Sequence, residues 1–231
     1  NIRINPELIK YSVALGTSSC ITQVSAVVLQ IILNNSLVKY GDMTEIGGDV
    51  ALSAMGVVLK VSMILLAINI GIGTGAQPIF GYNRGARNYE RIKKTYIIAA
   101  AASTIVSVIG WIACIAFPGA IISIFGNDNA MFTHFGIRCL RIYMFGIFTS
   151  GFQMITTTYF QATGQAMKAS ILSMLRQMIL LIPFVIILPL FMGLDGILYS
   201  GPSADFLAAF IILCFTIKEM KRLNAEIEAA K

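Results

Sequence analysis

Polar and apolar positions along this chain fall into long blocks. Six apolar runs, at about residues 11–37, 51–80, 96–117, 132–160, 169–191 and 196–217, each reach the ~20 residues that cross a bilayer as a helix. The connections between them differ in sign. The first, third and fifth hold Asp42, Glu45, Asp49, Asp128 and Asp195, with Lys39 as their one base. The even connections and both ends hold twelve bases: Arg3, Lys10, Arg84, Arg87, Arg91, Lys93, Lys94, Lys168, Lys218, Lys221, Arg222 and Lys231. A Lys/Arg excess marks the cytoplasmic side of short loops. The pattern predicts an all-α integral membrane protein of six transmembrane helices, with both ends cytoplasmic and residues 218–231 a charged cytoplasmic tail. Breakers agree with it. Pro118-Gly119 follows the third run, Gly126-Asn127-Asp128-Asn129 precedes the fourth, and Pro183 and Pro189 predict a kink or break in the fifth.

Composition narrows the class further. The chain is 57% hydrophobic and 12% charged, against about 25% charged for a soluble domain. A bilayer is therefore its expected partner. The net charge of +6 reports topology rather than nucleic-acid binding. Cys20, Cys114, Cys139 and Cys214 all sit in apolar runs without a C-x-x-C pair, so they read as small packing residues, with no metal site expected. There is no H-E-x-x-H, no G-x-S-x-G and no P-loop. An enzyme is not expected. The chain opens at Asn1 with no signal-peptide pattern, which predicts a fragment.

The chemistry lies in polar residues inside the runs. In the first, Ser19, Gln23, Ala26, Gln30 and Asn34 recur at helical spacing on one face, flanked by Thr22 and Ser25. In the fourth, Tyr143, Gly146, Ser150, Gln153, Thr157 and Gln161 do the same. Hydrogen-bond glue between helices needs fewer large amides than these, so both stripes are read as lining a water-filled cavity. Ser103, Ser107, Gly110 and Cys114 in the third run are all small and predict close helix packing, as does Gly71-x-x-x-Gly75 more weakly. Charges at membrane depth are few and are functional candidates by default. At 1.5 Å per residue, Lys60 lies ~13 Å, Asp205 ~14 Å and Arg176 ~19 Å from the outer surface. These depths predict a buried cluster of Lys60, Arg176 and Asp205, serving either as a structural ion pair or as a proton- or substrate-responsive site. Arg138 and Arg141 are near enough to the outer end to snorkel. His134, the one histidine, reads as an interfacial residue.

Between the second and third runs lies Gly75-Ala76-Gln77-Pro78-Ile79-Phe80-Gly81-Tyr82-Asn83-Arg84-Gly85-Ala86-Arg87-Asn88, then Arg91. Charge alone makes this a cytoplasmic turn. The stretch also resembles the loop joining the second and third helices of the C-terminal lobe in the multidrug and toxic compound extrusion (MATE) family. Tyr159-Phe160-Gln161-Ala162-Thr163-Gly164-Gln165 is similar to that family's "FQA-G-" helix end. Ser173-Met174-Leu175-Arg176-Gln177 resembles its "LRQ" element, and Leu194-Asp195-Gly196-Ile197 with Pro202 and Asp205 its "GIW…P-AD" helix start. The motif residues Gly75, Pro78, Gly81, Asn83, Gly85, Arg91, Gln161 and Gly164 carry the likeness.

The resemblance implies one six-helix lobe of a twelve-helix transporter, with the N-terminal lobe, or a second copy of the chain, as partner. It implies export of small organic cations by alternating access at a bacterial cytoplasmic membrane, driven by Na⁺ or H⁺ and by no other cofactor. Some members carry acids on the helices corresponding to the first and fourth here. This chain offers Gln23, Gln30, Tyr143 and Gln153 there instead, with Asn34 and Thr157 completing the expected cavity. A coupling acid is therefore expected in the other lobe. Two other readings stay open. A lipid-precursor flippase or polysaccharide exporter of the same superfamily needs several basic cavity residues, of which Lys60 is the one candidate. A non-transporting scaffold subunit needs no polar stripes.

Overall fold

The computed structural model describes residues 6–126 and 130–229. Arg3, the predicted turn at 127–129 and Lys231 lie outside these, as do the side chains of Lys10, Ser19 and Thr22. The described elements are helices: α1 (Pro6–Gly41), α2 (Gly48–Gly85), α3 (Tyr89–Ala116), α4 (Pro118–Ser123), α5 (Ala130–Tyr143), α6 (Ser150–Ala162), α7 (Ala166–Met174), α8 (Ile182–Met192) and α9 (Leu194–Ala229). A 3₁₀ segment, Met144–Thr149, joins α5 to α6. A π segment, Leu175–Leu181, joins α7 to α8. With each joined pair taken as one, the chain makes six crossings. Among the described residues, α2, α3, the α7–α8 unit and α9 are long and apolar enough to span a membrane. The α5–α6 unit is divided by its 3₁₀ segment, and the side chains of α1 are described without interruption only from Gln23 onward. The core joins Leu37 of α1, Met55 and Phe80 of α2, Tyr159 of α6 and Ile197 of α9, all at most 1% exposed.

The irregularity in the fifth crossing lies before Pro183, not at it. Pro183 has no N–H to give, and its ring crowds the carbonyl four residues back. Widening the preceding turn into a π segment absorbs both problems. Pro189, by contrast, sits inside α8. The expected loop between the second and third crossings is mostly helix. Gly75, Pro78, Gly81, Asn83 and Gly85 belong to α2, and Arg91 lies in the first turn of α3. Only residues 86–88 turn. Asn88 N donates to Asn83 O at 2.9 Å, and the Asn88 carboxamide accepts from Arg91 N at 3.2 Å. Those bonds close one helix and start the next within three residues.

The turn puts Arg87 at φ 55°, the left-handed position that glycine usually fills. Arg87→Gly relieves about 1 kcal/mol of strain and returns part of it as unfolded-state entropy. Denaturant unfolding should register a net gain of about 0.5 kcal/mol; a loss would mean that the Arg87 side chain contributes more than its strain.

The charged stretch from Lys218 is helical and continues α9 without a break, with Thr216, Glu219 and Leu223 buried.

Candidate transport cavity

The cavity forms where α6, the π segment and α9 meet. On α9, Gly201, Asp205, Ala208 and Ile212 follow one another at steps of four, three and four and are all buried. Asp205 is the one acid on this mid-helix stretch, and its side chain is 4% exposed. The π segment aims Arg176 at it, with Nε 2.5 Å from Asp205 Oδ1. The Arg176 side chain keeps 33% exposure. Gln153 of α6 reaches the same residue from another side. Its Nε2 donates to Thr149 Oγ1 at 2.8 Å and to the Asp205 carbonyl at 3.2 Å. The 3₁₀ segment brings Gly146 against Asp205, so near that a β-carbon there would lie 2.6 Å from Asp205 Cβ and 2.9 Å from Oδ2. The Tyr143 ring packs on Gly201 in the same way.

Beside this junction is a cavity of about 180 Å³, into which Ser150, Gln153, Thr157, Ser173, Arg176 and Gln177 project, with Leu66, Met154, Leu172 and Ile212 closing it. Among the described residues Gln153 Oε1 is buried and accepts no hydrogen bond. The hydroxyls of Thr157 and Ser173 donate to carbonyls in their own helices, at 3.0 and 2.9 Å, and keep their lone pairs for other partners.

The predicted site is thus only partly assembled. Tyr143, Gln153 and Thr157 converge around Arg176 and Asp205. Lys60 does not join them. It is exposed on the other flank of α2, with Nζ 5.9 Å from the Phe125 ring centroid. Its helix turns Ser62 inward instead, and the long lysine stem reaches toward the α4 end. Nor do the α1 amides line this cavity. Gln23 and Gln30 are exposed and Asn34 is half-buried, with Gln30 Nε2 donating to Asn34 Oδ1 at 3.0 Å. α1 turns Ser25, Leu33 and Leu37 to the bundle, and the amides form a polar strip on its outer face. Gln161 lies in the last turn of α6, and Gly164, at φ 79°, in the turn that follows.

Two buried polar centres escaped the sequence reading. Asn69 of α2, fully buried, donates to Ser107 Oγ at 2.9 Å and accepts from Ser103 Oγ at 2.7 Å. Glu219 accepts from Gln165 Nε2 at 2.7 Å and Tyr159 Oη at 3.2 Å, with Lys168 Nζ at 3.5 Å. Spacing held a clue to the second: Asp205, Ala208, Ile212, Thr216, Glu219 and Leu223 are one continuous stripe. Asn69 shares the buried face of α2 with Ser62, Gly73 and Ala76, small residues that give no comparable signal.

A bundle of apolar crossings enclosing a polar cavity and a buried ion pair defines a multi-pass helical membrane protein. The MatE family model matches residues 18–187, and the chain belongs to that family. Among its relatives is the multidrug export protein MepA of Staphylococcus aureus (strain N315), 23% identical over 222 residues, which make up 96% of this chain and 47% of the relative. MepA of Staphylococcus saprophyticus is 24% identical over 97% of this chain and 48% of its own. The chain therefore spans about half the length of the relatives it matches. The fold matches an outward-facing multidrug resistance MATE family transporter with TM-score 0.85 at 19% identity, covering 97% of this chain and 49% of that one. It matches an inward-facing one with TM-score 0.82 at 18% identity, covering 99% and 51%.

Proposed function

We propose that the chain is one lobe of a secondary multidrug exporter, which moves cationic amphipathic compounds out of the cell by alternating access in exchange for inward Na⁺ or H⁺. Family membership at half the length of multidrug export relatives carries this reading. The missing half is an N-terminal lobe facing the α1 amide strip. Gln23, Gln30 and Asn34 then line the cleft between lobes, where neutral amide dipoles hold a hydrophobic cation without burying a countercharge. Near-equal likeness to outward- and inward-facing transporters supports a lobe that rocks as a unit. Asp205 is already held by Arg176, so the coupling carboxylate is assigned to the other lobe. The chain sits in the bacterial inner membrane, its basic connections and both its ends in the cytoplasm.

Cells making the complete protein should accumulate less ethidium than cells lacking it, and collapsing the Na⁺ or H⁺ gradient should abolish the difference. Equal accumulation with and without the protein rejects the reading.

A further inference from the structure

The cavity beside Arg176 has a polarity that the exporter reading does not supply. Asp205 is the buried end of the ion pair and Arg176 the exposed end, at 4% and 33%. The pair therefore presents its positive pole to the cavity. Among the described residues Arg176 bonds through Nε, which leaves both Nη groups as donors. The Gln177 amide projects beside them. An organic cation placed here faces like charge, whereas an oxyanion meets a guanidinium fork. Gln153 adds a second, independent demand. Its Nε2 is committed to Thr149 and Asp205, so Oε1 is the orphan, a buried acceptor that needs a donor. An oxyanion alone cannot satisfy it.

We propose that this cavity binds the head of a small amphiphile that carries an oxyanion and, next to it, an O–H or N–H donor. The oxyanion lies against Arg176 and Gln177. The neighbouring donor bonds Gln153 Oε1, and the apolar part leaves past Leu66, Met154 and Ile212. At about 180 Å³ the space holds roughly six waters' worth of volume, enough for such a head and too little for a whole drug-sized molecule. The proposal rests on the transporter reading only in that the complete protein must give the cavity a path for ligands.

Three chain-matched probes test it against the complete protein in nanodiscs: 2-hydroxyoctanoate, octanoate and octyltrimethylammonium. Affinity should fall in that order, by about tenfold at each step, as expected for a filled orphan acceptor and for a charge-assisted bond. Arg176→Gln combined with Asp205→Asn keeps a neutral hydrogen-bonding pair and should erase the preference for octanoate over the ammonium. Gln153→Met leaves the ion pair intact and should erase only the hydroxyl advantage. Octyltrimethylammonium binding as tightly as octanoate, or a preference that survives the double substitution, overturns the proposal. Ethidium export without this order would sink the inference and spare the exporter reading. The order without ethidium export would do the reverse.

Discussion

Arg176→Met should cost the complete protein about 3–5 kcal/mol of stability, the usual penalty for stranding one partner of a buried ion pair. The burden falls on Asp205. Its carboxylate is almost wholly enclosed, and Gly146 leaves no room for water on the Oδ2 side. The Gln153 amide is already committed to Thr149 and to the Asp205 backbone carbonyl, so it is not free to replace the guanidinium. Asp205→Asn alone should be milder, because Arg176 can extend its freed charge into the cavity. The double change Arg176→Gln with Asp205→Asn should lie within about 1.5 kcal/mol of the parent, since it removes both charges and keeps volume and hydrogen bonding. SDS or urea unfolding of purified protein measures all three, and a double-mutant cycle isolates the coupling. A silent Arg176→Met would mean that Asp205 does not depend on the guanidinium for its place in the fold.

Much of this was legible from pattern. Apolar blocks separated by sign-alternating connections dictate six crossings, because hydrocarbon leaves the backbone no hydrogen-bonding solution but the helix. Depth put Asp205 within reach of Lys60 or Arg176, and the structure pairs it with Arg176. Lys60 shares that level but not the direction, and depth carries no azimuth. The α1 amides show the same gap. Their spacing put them on one face, but which neighbour that face meets is decided by tertiary packing. In the tail, counting charges gave a charged helix but not its phase. Lys218, Lys221 and Arg222 are exposed, while Glu219 continues the buried stripe that begins at Asp205. Helix ends were misplaced at residues 81–94 because glycine, proline and basic residues read as loop there, whereas two capped helices need only residues 86–88 to reverse direction.

Of the two close-packing signals, the third-run stripe held, with Ser103, Ser107 and Cys114 buried and Gly110 against Leu65, whereas the weaker Gly71–Gly75 motif did not; the difference sets the second large effect. Gly71 and Gly75 looked like a contact motif, yet a β-carbon at either would meet nothing within 4 Å. The tight approach is at Gly151, in the first turns of α6. A β-carbon there would strike the carbonyl carbon and oxygen of Ser103 in α3 and lie 2.8 Å from Ser107 Oγ. Those first two atoms are backbone, so no rotamer change relieves the clash and the helices must part. Parting them pulls Ser103 and Ser107 away from Asn69, whose amide they satisfy on both sides in a fully buried position. Overpacking costs about 1–3 kcal/mol, and a stranded buried amide about 1–3 more. Gly151→Val should therefore lose about 3–5 kcal/mol and Gly151→Ala about half that, whereas Gly71→Ala should be neutral or slightly stabilising. The same unfolding assay ranks them. If Gly151→Val unfolds with the parent, α3 and α6 can part without cost to the bonds between Asn69 and α3. If it falls as expected, Gly151 is the residue that fixes how closely these two crossings can lie.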